Sequence, residues 1–209
     1  MPRPPAPPIR RTQASRSLET RQRLMDTAIA LIGERSFQAA TVFEIAKRAG
    51  VTTGAVQHHF PSKADLVLSL IDRILETSIE EGGIWPSPAM PLPERAEAFV
   101  AALWRQSYAP PRFLVAWTVY FGCSDDPAVL QHVSTHRGEL GAKLDAQFDR
   151  AFPEIAEAAR RKTLLRTVLS CLRGLGVQRL FGSTPADEAA QLSLIASLIA
   201  QQGLPDGRR

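Results

Sequence analysis

Apolar residues in this chain recur at spacings of three and four, and no stretch alternates apolar with polar at every second position. That period belongs to helices and not to strands. Leu24, Met25, Ala28, Ile29 and Ile32 form the inner stripe of a first helix over about 18–35, with Ser17 as its cap. Two short helices follow within 41–60, and a fourth runs over about 63–81 with Leu66, Leu70, Ile71, Ile74 and Ile79 inward. Gly82-Gly83 and the prolines at 86, 88, 91 and 93 break the pattern and mark a boundary. Beyond it, helices are expected near 93–108, 112–123, 126–151, 154–181 and 186–202, separated by Pro110-Pro111, Asp125-Asp126-Pro127, Pro153 and the Gly182–Pro185 segment.

Residues 41–66, TVFEIAKRAGVTTGAVQHHFPSKADL, carry the most information. Thr41 and Glu44 have the spacing of a reciprocal capping box, and Ile45, Ala46 and Ala49 share one helical face. Gly50 can take the positive φ that ends a helix and turns the chain sharply. Thr52 can cap the next helix, whose Val56 and Phe60 fall four apart, and Ser62 with Asp65 begins another. This is the layout of a helix-turn-helix, whose second helix enters the DNA major groove.

The pattern T-x-x-x-I-A-x-x-A-G-V-T-x-G-A-V-x-x-H-F-x-S-K-x-x-L resembles the DNA-binding domain of tetracycline-repressor-like (TetR family) regulators. The resemblance covers about residues 18–68, with Gly50, Val51, Gly54, Phe60, Ser62, Lys63 and Leu66 at the family's spacing. One position departs: the family usually carries Tyr where this chain has Gln57, so a phenol for phosphate becomes an amide able to reach a base edge. The expected DNA-contacting set is Thr41, Thr52, Thr53, Gly54, Ala55, Gln57, His58, His59 and Lys63.

Charge follows the same division. Through Lys63 the chain has ten Lys and Arg against four Asp and Glu, a balance of +6; the rest carries fifteen against seventeen, or −2. A basic first third on a near-neutral body suits a polyanion partner at one end. Residues 1–14, with five prolines in the first eight positions plus Arg3, Arg10 and Arg11, read as an extended or disordered arm. It either trails along phosphates or serves as an inert solubilising tail.

The expected fold is all-α: a three-helix helix-turn-helix domain over 15–62, then a C-terminal helical bundle for ligand binding and dimerisation over 63–209, with 63–81 as the connecting helix. In that bundle Trp104 and Tyr108 are four apart, as are Trp117 and Phe121, with Phe113 and Tyr120 nearby. These aromatics are either plain core or the wall of a small-molecule cavity. The family resemblance implies the cavity, since relatives bind effectors among the corresponding helices. The last two helices are apolar on more than one side, notably Leu165, Val168, Leu172 and Leu175 in one and Leu192, Ile195, Leu198 and Ile199 in the other. Such surface either lies deep within one subunit or needs a partner; a two-fold four-helix bundle between subunits is expected, and the family resemblance implies the same dimer. Gly174 and Gly176 permit close approach there.

Other chemistry is thin. His132 and His136 are four apart on one face, but two ligands do not make a metal site, and none is expected. Cys123 and Cys171 read as buried reduced thiols. No phosphate loop, nucleophile elbow or HExxH motif is found, no cofactor is expected, and the chain is not read as an enzyme. No apolar h-region opens the sequence and no run is long enough to span a bilayer, so no membrane partner and a cytoplasmic location are expected. The sum is a homodimeric regulator that binds a double-stranded DNA operator and answers to a small-molecule effector not named by the sequence. An all-α small-molecule-binding or enzymatic bundle without specific DNA binding is the alternative.

Overall fold

The computed structural model describes residues 13–77, 83–123 and 125–203, and every described element is helical. The chain divides into two compact units, Met1–Leu70 and Ile71–Arg209. The basic arm expected over 1–14 lies outside the described residues except at its last two positions, and Ile79 and Gly82 lie outside as well.

The first unit holds α1 (Gln13–Glu34), α2 (Val42–Ala49), α3 (Thr53–His59) and the start of α4 (Lys63–Thr77). Because α1 begins at Gln13, Ser17 lies inside the helix and does not cap it. Gln13 and Ala14 are good helix formers, and no breaker separates them from the apolar stripe. Leu24, Met25, Ala28, Leu31 and Ile32 of α1 are buried, as are Ile45 and Ala46 of α2, Val56 of α3, Phe60, and Leu66 and Leu70 of α4. This core holds α2 at a fixed angle to α3, which a helix-turn-helix needs before anything can be read in a groove.

The second unit holds the rest of α4, α5 (Leu92–Leu103), α6 (Pro111–Gly122), α7 (Pro127–Ala151), α8 (Ala158–Gln178) and α9 (Pro185–Gln202). Asp126 caps α7 by accepting from the Ala128 and Val129 amides at 2.9 and 3.4 Å, and Thr184 caps α9 from Asp187 N at 3.1 Å. The helix expected over 154–181 starts later, at Ala158, after a turn following Pro153. There Arg161 donates to the Ile155 carbonyl and pairs with Asp149 at 2.5 Å, satisfying backbone that a helix would otherwise have used. An aromatic knot of Phe99, Phe148 and Phe152, with ring centroids 4.6–5.6 Å apart, centres the core.

The apolar excess in α8 and α9 is resolved differently from expectation. Leu165, Val168, Leu172, Leu175, Ile195 and Ile199 are all buried within this one subunit. The packing of α9 is chiefly against α5, a neighbour from far back in the sequence, and it also meets α8. Six of the eight residues expected at a dimer interface are therefore core, while Leu192 and Leu198 are half-buried. The cysteines also split: Cys123 is buried, but Cys171 is exposed, and neither is in a disulfide.

Arg95 is the one fully buried charged residue among the described residues. Its guanidinium donates to the Pro88 carbonyl at 2.6 Å, pairs with Glu154 and lies 5.4 Å from the Phe152 ring centre. It pins the segment before α5 to the turn before α8. Burial opposes ionisation of Glu154, but the hydrogen bond from Arg95, a backbone hydrogen bond and the Arg95 charge together outweigh it and hold the carboxyl below its ordinary value.

Candidate DNA interface and ligand cavity

The helix-turn-helix is built by caps and one turn. Thr41 Oγ1 accepts from Glu44 N at 3.2 Å, starting α2. Glu44 does not reach back to complete the box; its carboxylate instead meets Arg35 at 3.3 Å. Gly50 sits at φ 67°, ψ 38°, and its amide and that of Val51 close the end of α2 on the Ala46 carbonyl. Thr52 Oγ1 then accepts from Ala55 N at 3.1 Å and starts α3. After Phe60, Ser62 and Asp65 form the full reciprocal box: Asp65 N donates to Ser62 Oγ and Ser62 N to Asp65 Oδ2, each at 3.0 Å.

On the outer side of this frame Thr41, Thr52, Thr53, Gly54, Gln57 and His58 are exposed, with Ala55 and His59 half-buried. No acidic residue lies in α3, so its exposed face offers hydroxyls, an amide and two imidazoles with no carboxylate to repel phosphate. The Lys63 side chain is outside what the structure describes.

Sequence reading passed over Arg21. Its guanidinium donates to the His59 carbonyl at 2.8 Å and to Ser69 Oγ at 2.6 Å, and its centre is 4.6 Å from the Phe60 ring centre. One side chain of α1 thus anchors the C-terminal end of the recognition helix. Burial lowers the His59 imidazole below its ordinary value, helped by the neighbouring His58 and Arg21 charges. The signal was present: Arg21 stands three and four residues before Leu24 and Met25, on the stripe that α1 buries.

Within the second unit a cavity of about 510 Å3 is lined by Ile71 of α4 and by residues of α5 through α8. Tyr108, Phe113, Trp117 and Tyr120 line it. Trp104 is buried in the core instead, and Phe121 is 66% exposed. Ser107 and Tyr108 reach the cavity from a π-helical segment, Trp104–Tyr108, that follows α5 and closes with Ala109 N on the Trp104 carbonyl at 2.8 Å. Such widened turns recur at functional sites. Gly176 of α8 lets Phe113 lie against the helix, since a Cβ there would come 2.5 Å from the ring. Burial raises the Tyr108 phenol above its ordinary value, opposed by the Arg173 and Arg137 charges and a hydrogen bond with Arg173.

One further cluster lies in this unit. Asp72 Oδ1 of α4 is 2.6 Å from His132 Nε2 and 3.6 Å from His136 Nδ1 on α7. These are the ligand types of a metal site, with donor atoms within 4.8 Å of one another, but a closed tetrahedron needs a fourth donor. As placed, the carboxylate ties α4 to α7 by hydrogen bonding alone. Asp125 is not part of this group, and Asp126 is occupied as the cap of α7.

With this geometry in hand, the likeness to known proteins is specific. Residues 24–70 match the family described as Bacterial regulatory proteins, tetR family. The match spans the later part of α1, then α2, the turn, α3 and the box at Ser62. Residues 24–70 therefore carry a TetR-family DNA-binding domain.

The likeness to family members extends past the DNA-binding domain. The HTH-type transcriptional regulator BetI of Brucella abortus is 25% identical over 185 residues, covering 87% of this chain and 90% of that protein. The HTH-type transcriptional repressor KstR of Rhodococcus jostii is 26% identical, over 88% of this chain and 84% of that one. CymR of Pseudomonas putida is 36% identical, but over only 73 residues and 36% of its length. Among solved structures, a transcriptional regulator from Rhodococcus sp. Rha1 superimposes with a TM-score of 0.67 at 20% identity, over 88% of this chain and 99% of that one. The multidrug binding protein EbrR, complexed with imidazole, gives 0.63 at 19%, over 93% and 97%. A regulator from Saccharomonospora viridis in complex with choline gives 0.63 at 18%, over 87% and 96%. The matched segment is the DNA-binding domain of a TetR-type transcriptional regulator. No helix among the chain's described residues is long and apolar enough to cross a membrane.

Proposed function

We propose that this TetR-family chain is a cytoplasmic, homodimeric repressor that leaves a near-palindromic operator when a small molecule fills the cavity of its second unit. The observation that carries the reading is α4 itself. It starts at the capping box of the DNA-binding unit and continues to Ile71, which lines the cavity. A ligand pressing on Ile71 acts on the same helix that follows the recognition helix. Only a ligand with different affinity for the two positions of α4 can shift the balance between them.

On DNA, α3 lies in the major groove, with Thr53, Gly54 and Ala55 near the bases and Gln57 pairing its amide with an adenine edge. Thr41, Thr52, His58, His59 and Lys63 hold phosphates, Lys63 aided by the positive end of α4. The dimer forms on the faces of α8 and α9 that one subunit leaves open. There Leu194 of α9 is 64% exposed, and Cys171 and Gly174 of α8 and Ser193 of α9 are exposed as well. The relatives named as regulator and repressor, and the neighbour named as multidrug binding, support this reading. Purified protein should shift an operator-sized duplex, and its ligand should release it. A protein that binds ligand but shows no specific shift is a binding bundle and not a repressor.

A further inference from the structure

We infer that the cavity selects an anionic ligand: a carboxylate carried on an aromatic or otherwise apolar body. The inference rests on the effector-cavity reading above and adds the chemical class of the effector.

Three guanidiniums line the cavity, Arg137 from α7 and Arg166 and Arg173 from α8, and no Asp or Glu is among its described lining residues. Arg166 is partly balanced by Asp145 at 3.4 Å, which is not in the lining. Arg173 instead meets Tyr108, whose buried phenol is held above its ordinary value and so stays neutral where arginine is charged. The positive charge facing the space is therefore not cancelled by the wall. The remainder of the lining is mostly apolar, with Phe113, Trp117, Tyr120 and Leu144 among it. Its volume, about 510 Å3, falls in the range of small-molecule sites.

Each feature excludes a class. A cation would enter a field of its own sign, strengthened by low-dielectric walls. A neutral molecule would gain the apolar contacts but leave the guanidiniums without an ionic acceptor. A carboxylate takes two parallel N–H donors from one arginine, the strongest common pairing for this group, while its ring or chain fills the apolar space. The choline held by the Saccharomonospora viridis neighbour is the wrong charge for this wall.

The test uses the full-length protein and three isosteric probes: 2-naphthoate, 2-naphthamide and trimethyl-2-naphthylammonium. Binding is followed calorimetrically and by tryptophan fluorescence, since Trp117 lies in the wall. The acid should bind at least about tenfold more tightly than the amide, as charge-assisted pairing implies, and the cation more weakly than both. Decanoate, the same head on a chain, distinguishes a ring-shaped body from a linear one. Arg173→Gln and Arg137→Gln should each remove most of the preference for acid over amide, and amide that still binds the variants shows that the cavity is intact. Arg137 is exposed, so Arg137→Gln carries the test if Arg173→Gln misfolds. Equal or tighter binding of amide or cation, a preference that survives both substitutions, or no carboxylate binding at millimolar concentration overturns the inference. The operator complex separates the two ideas. Acid that binds without releasing DNA defeats the effector reading alone; release by the amide or cation in place of the acid defeats only the charge assignment.

Discussion

The Arg21 guanidinium donates to the main-chain carbonyl of His59 across 38 positions of sequence, at 2.8 Å, and so fastens α1 to the last turn of the recognition helix. A seven-residue helix cannot hold its shape unaided. Its C-terminal carbonyls need partners, and this one has a charged donor that is itself stacked on Phe60 and bonded to Ser69. Arg21→Met keeps the apolar stem and removes the donors. It should cost roughly 1–3 kcal/mol of stability, the usual loss when a charged hydrogen bond is removed from a partly buried acceptor, and weaken operator binding. Chemical denaturation and a gel-shift titration check this; an unaltered midpoint with unaltered affinity would show the contact to be incidental.

His59 sets a pH limit on the same unit. Its folded pKa lies below the ordinary 6.5, so the unfolded chain takes up the proton first as pH falls. Stability from this group is complete above about pH 6.5 and is lost below it, as pH falls toward the folded pKa. Replacing His59 with Asn should flatten that part of the stability–pH curve. A curve of the same slope in both proteins would place the titration elsewhere.

The helices were largely written in the periodicity of the sequence, and the turn at Gly50, the cap at Thr52 and the box at Ser62 were readable from residue type and spacing. Those features are local, and their physics lies within a few residues. What sequence reading missed is long-range. Nothing in α9 announces that α5 covers it, so Ile195 and Ile199 looked like surface in search of a second subunit. Asp72 is 60 positions from His132, so the histidine pair looked incomplete. Arg95 and Arg21 were counted as charge when their place on an apolar stripe marked them as anchors.

The cavity depends on one missing side chain. Gly176→Ala would drive a methyl against the Phe113 ring, 2.5 Å from its nearest atom, with α8 backbone on the other side. Phe113 must swing toward the cavity or α8 must move outward. Overpacking of this kind costs about 1–3 kcal/mol, so a lower melting temperature is expected together with weaker ligand binding. Ligand affinity equal to that of the parent protein would mean that the ring yields away from the cavity.

The dimer proposal now rests on the exposed residues and not on the buried ones. Leu194→Glu places a charge on the open face of α9, where the single subunit needs nothing. The variant should keep its helical content, sediment as a monomer and lose specific operator binding, because an unpaired charge in a desolvated seam costs several kcal/mol. A variant that remains dimeric places the interface elsewhere.

The most direct measurement is to let the purified protein choose its DNA from a random duplex pool and to sequence what it keeps. The account predicts an inverted repeat with half-site centres about one helical turn, or ~34 Å, apart, or a multiple of that, as two symmetric recognition helices require. It further predicts that Gln57→Ala loses preference at one base position per half-site, worth about 1–3 kcal/mol, and keeps the rest. Recovery of no common site, or of a single unrepeated half-site, would contradict the proposal of a dimeric repressor that reads DNA through α3.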